Sequence, residues 1–179
     1  MIDVSLDQKQ VARILKALKQ SPKEVHRAIA VSENRTITFL NKEIAKDVTR
    51  SYVIKSRTVK QSLTSKKANS SNLTASVTSE GRSIYLGRFK TARYNRKRKL
   101  WAQVKKGAKR IIPGLFRSTP NKLPMHRIGK GRGDIVKPFG PSIPQMIGNK
   151  EVLPEIAHKA EEVLNKRIEH ELEWRLQKL

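Results

Sequence analysis

The chain has 179 residues, with 39 Lys and Arg against 15 Asp and Glu, a net charge of +24. Hydrophobic residues make up 37% and aromatics 5%, so a modest core is expected, and the excess charge implies a counter-surface: nucleic acid, anionic lipid or acidic protein. No apolar run is long enough to span a bilayer, Met1-Ile2-Asp3-Val4 does not open like a secretory signal, and the lack of Cys excludes disulfides, thiolate metal sites and thiol catalysis and suits synthesis in a cytosol.

Val11, Ile14, Leu15 and Leu18 recur at three- and four-residue spacing and predict a short helix over 7–20. Ser21-Pro22-Lys23-Glu24 is a helix start: Ser21 caps, Pro22 fits the first turn and Glu24 reaches back. The helix it opens is predicted to run to about Ser51 on Val25, Ala28, Ile29, Ile37, Leu40, Ile44 and Val48, with Asn34-Arg35-Thr36 a weak place for a bend. A short third helix is predicted over Lys55–Leu63, with Val59 and Leu63 on one face.

The period then changes. Leu73, Ala75 and Val77 alternate with Thr74, Ser76 and Thr78, which predicts a half-buried strand over 72–79. Further strands are expected over 83–89, 100–106 and 122–128, with Thr91–Lys99 a mobile loop or hairpin tip. Ile111 to Phe116 reads as an apolar turn around Pro113 and Gly114. Gly129–Gly133 reads as loop, and Pro138–Pro144 as an extended strap in which Pro138, Pro141 and Pro144 exclude helix. From Glu151 to Leu179, Val152, Ile156, Ala160, Val163, Leu164, Ile168, Leu172 and Leu176 line the best helix in the chain. Its apolar stripe suits packing on its own sheet or, through Trp174 and Leu179, reaching a neighbouring subunit.

The charge is uneven. Residues 82–150 hold 19 basic groups and one acid, Asp134, whereas 151–179 are net −2. From Lys90 to Arg110 there are ten basic groups and no acid. The candidate contacts to polyanion or partner are Arg93, Arg96, Lys97, Arg98, Lys99, Lys105, Lys106, Lys109 and Arg110. Phosphate contact needs only such density of Lys and Arg, and acidic neighbours would satisfy the same charges. Tyr85, Phe89, Tyr94 and Trp101 interleave with them and are expected to pack a sheet or interface rather than stack on bases. His26, His126, His158 and His170 have no metal-ligand spacing, and Gly129-x-Gly131-x-Gly133 lacks the Gly-Lys-Ser/Thr ending of a phosphate loop. No catalytic constellation is visible, and neither an enzyme nor a cofactor is expected.

The order of elements resembles the minor tail protein Z family of long-tailed bacteriophages, the tail-completion proteins. The resemblance rests on the helical part ending in Val53-Ile54-Lys55 followed by Val59-Lys60, on Ile112-Pro113-Gly114-Leu115-Phe116, and on Gly140-Pro141-Ser142-Ile143-Pro144-Gln145-Met146 leading into the final helix. It implies a structural virion protein, made in the host cytoplasm, that completes the head-proximal end of the tail or the neck. There it would form a ring, a hexamer by that resemblance, around the DNA channel. Its implied partners are itself, the tail terminator or tail-tube protein, the head–tail connector and phosphates of the genomic DNA. A cellular non-specific nucleic-acid-binding protein, ribosome-associated or nucleoid, is the alternative that the same charge would serve. The expected fold is α+β, with the N-terminal helices and the long C-terminal helix on a small, mainly antiparallel sheet that carries long basic loops. Its regions are 1–63 (helical), 64–149 (basic β-region with the strap of Pro138, Gly140, Pro141 and Pro144) and 150–179 (C-terminal helix), all in one structural domain.

Overall fold

The computed structural model describes residues 16, 22–93, 100–118, 123–129 and 133–177. Of the helix expected over 7–20, only Lys16 lies among them, in helical conformation. The fold is α+β, built from helices and small antiparallel sheets. Its contacts divide the chain into two units, each discontinuous in sequence: residues 1–44, 63–79 and 150–179 form the first, residues 45–62 and 80–149 the second.

Helix α1, Pro22–Ser51, begins and ends close to where the sequence places it, with Glu24 in its first turn and Arg50 in its last, as the helix dipole favours. It continues unbroken through Asn34-Arg35-Thr36. The hydroxyls of Thr36 and Thr38 donate to the carbonyls of Ser32 and Asn34 one turn back. The Asn34 amide does not compete with its own helix, because it is engaged elsewhere. Its Nδ2 donates to the Ala68 carbonyl and its Oδ1 accepts from the Ala68 N–H, both at 2.9 Å.

In the first unit α1 lies antiparallel to the long helix Leu153–Leu176, as the ion pairs Glu24–Arg175, Arg35–Glu171 and Glu43–Lys159 require. The seam between them is a cluster of Val25, Ala28, Leu164, Ile168 and Leu172, with Ile29 packed against it. Strands β1 (Leu63–Lys66) and β2 (Ser76–Ser79) pair antiparallel, Leu63 opposite Ser79. Leu63, expected to close a helix, instead opens β1. The strand expected over 72–79 is shortened at its start, and side chains explain why. Asn69 Oδ1 accepts from the N–H groups of Ser71 and Asn72, Asn72 Oδ1 from that of Thr74, and Glu33 from that of Ala75. These bonds satisfy in turns the donors that a ladder would have used.

The second unit contains the last turns of α1, a short helix α2 (Ser56–Gln61) and two three-stranded sheets. One has the order β3 (Lys90–Arg93), β4 (Leu100–Gln103), β5 (Lys109–Ile111). The other has the order β6 (Leu115–Ser118), β7 (Leu123–Arg127), β8 (Ile135–Val136). Its buried apolar residues include Ala45, Val48 and Tyr52 at the end of α1, Val59 of α2, and Leu86, Phe89, Leu100, Ala102, Leu115, Ile143, Met146 and Ile147.

No strand forms over 83–89: Tyr85 makes a single bridge to Phe139 and Leu86–Arg88 is a 3-10 turn. Thr91 to Arg93 belong to β3 rather than to a loop, and 94–99 lie outside the described residues. The strand expected over 100–106 stops at Gln103, because the following backbone turns to pair with the end of α1. Within the expected apolar turn, Ile111 ends β5 and Leu115 and Phe116 open β6, leaving Ile112-Pro113-Gly114 as the turn itself. Gly114 there has φ +73°, and a Cβ would meet the His126 ring at 2.8 Å, so the position needs glycine twice over.

The strap is extended over 138–142, but it does not exclude helix to its end. Ile143–Ile147 form a short helix, α3, with Pro144 in its first turn, where a missing N–H costs nothing. Ser142 caps it in a reciprocal box with Gln145, whose side chain accepts from the Ser142 N–H at 2.9 Å. The strap is tied to 84–86 by bonds from Leu86 N–H to the Pro138 carbonyl and from Gly140 N–H to the Ile84 carbonyl. At Gly140 a Cβ would lie 2.9 Å from the Phe89 ring. The long helix Leu153–Leu176 is α4, with Val152, Ile156, Ala160, Leu164, Ile168 and Leu172 buried as the spacing predicts.

Candidate polyanion and partner surface

The second unit holds 23 of the chain's 39 Lys and Arg and three of its 15 acids, Asp47, Glu80 and Asp134, a net of +20. The first holds 16 and 12. Most of the chain's excess positive charge therefore lies in the second unit. Asp47 is fully buried and faces Arg50 at 3.6 Å, so it does little to offset the exposed cations.

Of the nine basic candidates, Lys105, Lys106, Lys109 and Arg110 are described with their side chains, and all are exposed. They sit on the β4–β5 hairpin and its turn, where Gly107 adopts φ +80°. Their backbone is pinned. Val53 N–H donates to the Val104 carbonyl at 2.8 Å, Lys106 N–H to the Ser51 carbonyl at 2.9 Å, and Tyr52 bridges Lys105. Tyr52 is held in turn by a 2.8 Å bond from Asn149 Nδ2 to its hydroxyl. The charges thus project from a rigid corner rather than from a free loop. Lys105 Nζ lies 5.9 Å above the Tyr52 ring and Lys109 Nζ 5.3 Å above that of Trp101, which orients both ammonium groups. Arg93 stands opposite Leu100 at the end of β3, its side chain outside the description, and Arg96, Lys97, Arg98 and Lys99 fall in the segment that is not described.

Tyr85 and Phe89 are directed inward. Phe89 is buried, and the Tyr85 hydroxyl donates to the Pro124 carbonyl while its ring meets Phe139 edge-on at 6.4 Å. Burial pushes the Tyr85 phenol up. Trp101 is half-buried under Lys109, and Tyr94 lies outside the described residues. Among the described residues no group of three or more His, Asp or Glu is disposed to hold a metal. No helix among them is long and apolar enough to cross a membrane.

Sequence reasoning missed a second property of this unit. Of seven exposed large hydrophobic side chains among the described residues, six lie here: Ile111, Leu123, Ile128, Ile135, Val136 and Phe139, the last 61% exposed. Ile111 is on β5 and Ile135 and Val136 form β8, both edge strands of their sheets. β5 has three residues, two of them Lys109 and Arg110, and β8 has two, which are the features that keep a sheet edge from pairing with another strand. It is therefore the exposed apolar side chains, and not the strand edges, that stand out. The signal was present in the sequence as aliphatic residues set among Lys and Arg, but which face each occupied was not.

Compared with family models, with curated proteins and with solved structures, the chain finds no match in any of the three.

Proposed function

We propose that the protein is a structural, non-catalytic assembly subunit that completes the head-proximal end of a phage tail or its neck, as one member of a ring around the DNA channel. The observation that carries this reading is the coincidence, in one unit, of a +20 charge with six exposed large apolar side chains. Phosphates are met by Lys and Arg alone, whereas exposed Ile, Val and Leu gain nothing from phosphates and gain by burial against protein. A subunit that sits between protein neighbours and a duplex needs both. The element order supports the same reading, with the Pro113-Gly114 turn before the β6–β7 hairpin and the strap leading through the Ser142 cap toward the long final helix. The partners proposed are further copies of the chain, a tail-tube or terminator protein and a head–tail connector, with genomic DNA phosphates facing part of the basic surface. The mature protein would reside in the virion.

The test is native mass spectrometry and negative-stain imaging of the purified protein, alone and mixed with tail-tube protein. A ring, or capping of tube ends, is the expected result. A persistent monomer that ignores tail proteins yet retards duplex DNA or RNA with steep salt dependence would replace this reading with that of a non-specific nucleic-acid binder.

A further inference from the structure

The α1–α4 pair of the first unit carries a groove of about 380 Å³ lined by Arg35, Val163, Lys166, Arg167 and His170. The four α4 residues fall at 163, 166, 167 and 170, one stripe of the helix, and α1 supplies Arg35 from across the seam. Two of the cations have carboxylate partners. Arg35 Nη1 donates to the buried Glu171, and Lys166 Nζ pairs with Glu162 at 2.6 Å. Arg167 differs from them: among the described residues no carboxylate pairs with it. A guanidinium that lines a groove with two further cations and lacks a carboxylate of its own is placed to take an anion from solution.

We propose that this groove binds the phosphate group of a small molecule. Arg167 and Lys166 would donate to the phosphate oxygens, and His170 closes the same side. Arg35, oriented by Glu171, would offer its remaining N–H groups, and Val163 gives an apolar wall for the body that bears the phosphate. Guanidinium groups and an ammonium around one space match the charge and the several acceptor oxygens of a phosphate better than those of a single carboxylate. The groove is open to solvent and has room beside the cations for the body of a phosphate ester. A nucleic-acid strand does not: Glu162, Glu169 and Glu173 stand exposed along the same helix and would repel a continued run of phosphates. The site is independent of the basic second unit and of the function proposed above.

Imidazole NMR of the full chain provides a local readout, since the protein has four histidines, His26, His126, His158 and His170. At fixed pH and ionic strength, inorganic phosphate and phenyl phosphate are titrated, with acetate as the control. His170 signals are expected to shift saturably with phosphate and more tightly with phenyl phosphate, and to ignore acetate. Arg167→Gln should weaken binding at least about tenfold, as loss of a charge-assisted bond does. Lys166→Met changes an exposed side chain, so it carries the test even where Arg167→Gln fails to fold. No His170 shift, equal shifts at all four histidines, an acetate response like that of phosphate, or unchanged affinity in both variants would overturn the proposal. So would tighter capture of His170 by a short DNA duplex than by phenyl phosphate.

Discussion

Neutralising the β4–β5 corner gives the sharpest test of what its charges are for. Changing Lys105, Lys106, Lys109 and Arg110 together to Gln removes four exposed cations whose backbone is fixed by the ladder to Ser51 and Val53. Where each meets one phosphate of duplex DNA, the slope of log affinity against log salt becomes shallower by about 3.6, which amounts to roughly 150-fold less loss of affinity between 50 and 200 mM salt. The substitution also removes the cation–π contacts over Tyr52 and Trp101, each worth about 0.5–1 kcal/mol at exposed sites. Thermal unfolding must therefore show that the variant remains folded at the assay temperature. Fluorescence anisotropy with a labelled 20-base-pair duplex over a salt series measures the slope. A variant with the wild-type slope would refute the assignment of this corner to phosphate and leave protein neighbours as its counter-surface.

Three further outcomes follow from the packing and capping. Ile168→Ala empties a fully buried position between Val25 and Leu164 and should cost about 2–5 kcal/mol in urea unfolding. Ser142→Ala deletes one arm of the α3 capping box, an expected loss of about 1 kcal/mol by the same assay. Glu33 is held above the usual carboxylate range, chiefly by burial, although it accepts a 2.7 Å bond from the Ala75 N–H. Folding therefore favours its protonated form. The resulting stability is fully present below the ordinary glutamate range and is lost as pH rises through the raised value. Glu33→Gln keeps the acceptor for Ala75 and should flatten that part of the stability–pH curve in chemical denaturation measured from pH 4 to 7. An unchanged curve would show that Glu33 is not responsible.

The two long helices were legible because their signals are local. Pro22 and Glu24 mark the start of α1, and apolar spacing shows the inward faces of both helices. The β-region was not, since its strands are two to five residues long and their limits are set by distant groups. Tyr85 is taken from a strand by its bridge to Phe139, Lys105 by Tyr52, and the residues before Ser76 by Asn69, Asn72 and Glu33. The basic tract could be found by counting, because charge density is a property of composition. The groove could not. Arg35 and Arg167 are far apart in the chain, and the stripe of 163, 166, 167 and 170 reads in isolation as a solvated helix face. That one of its cations lacks a carboxylate emerges when the ion pairs of the others are known.

Both units are assembled from separated stretches, and this has a consequence for biosynthesis. Val25 and Ala28 of α1 leave the ribosome early, but Leu164, Ile168 and Leu172, which complete their cluster, are translated after the whole of the second unit. The nascent first unit thus carries an apolar stripe with no counterpart until α4 has been translated. Its folding must wait for release or rely on a holding factor. A chain truncated before α4 would keep that stripe exposed and could not complete the first unit, which makes it prone to aggregation and open to proteolysis.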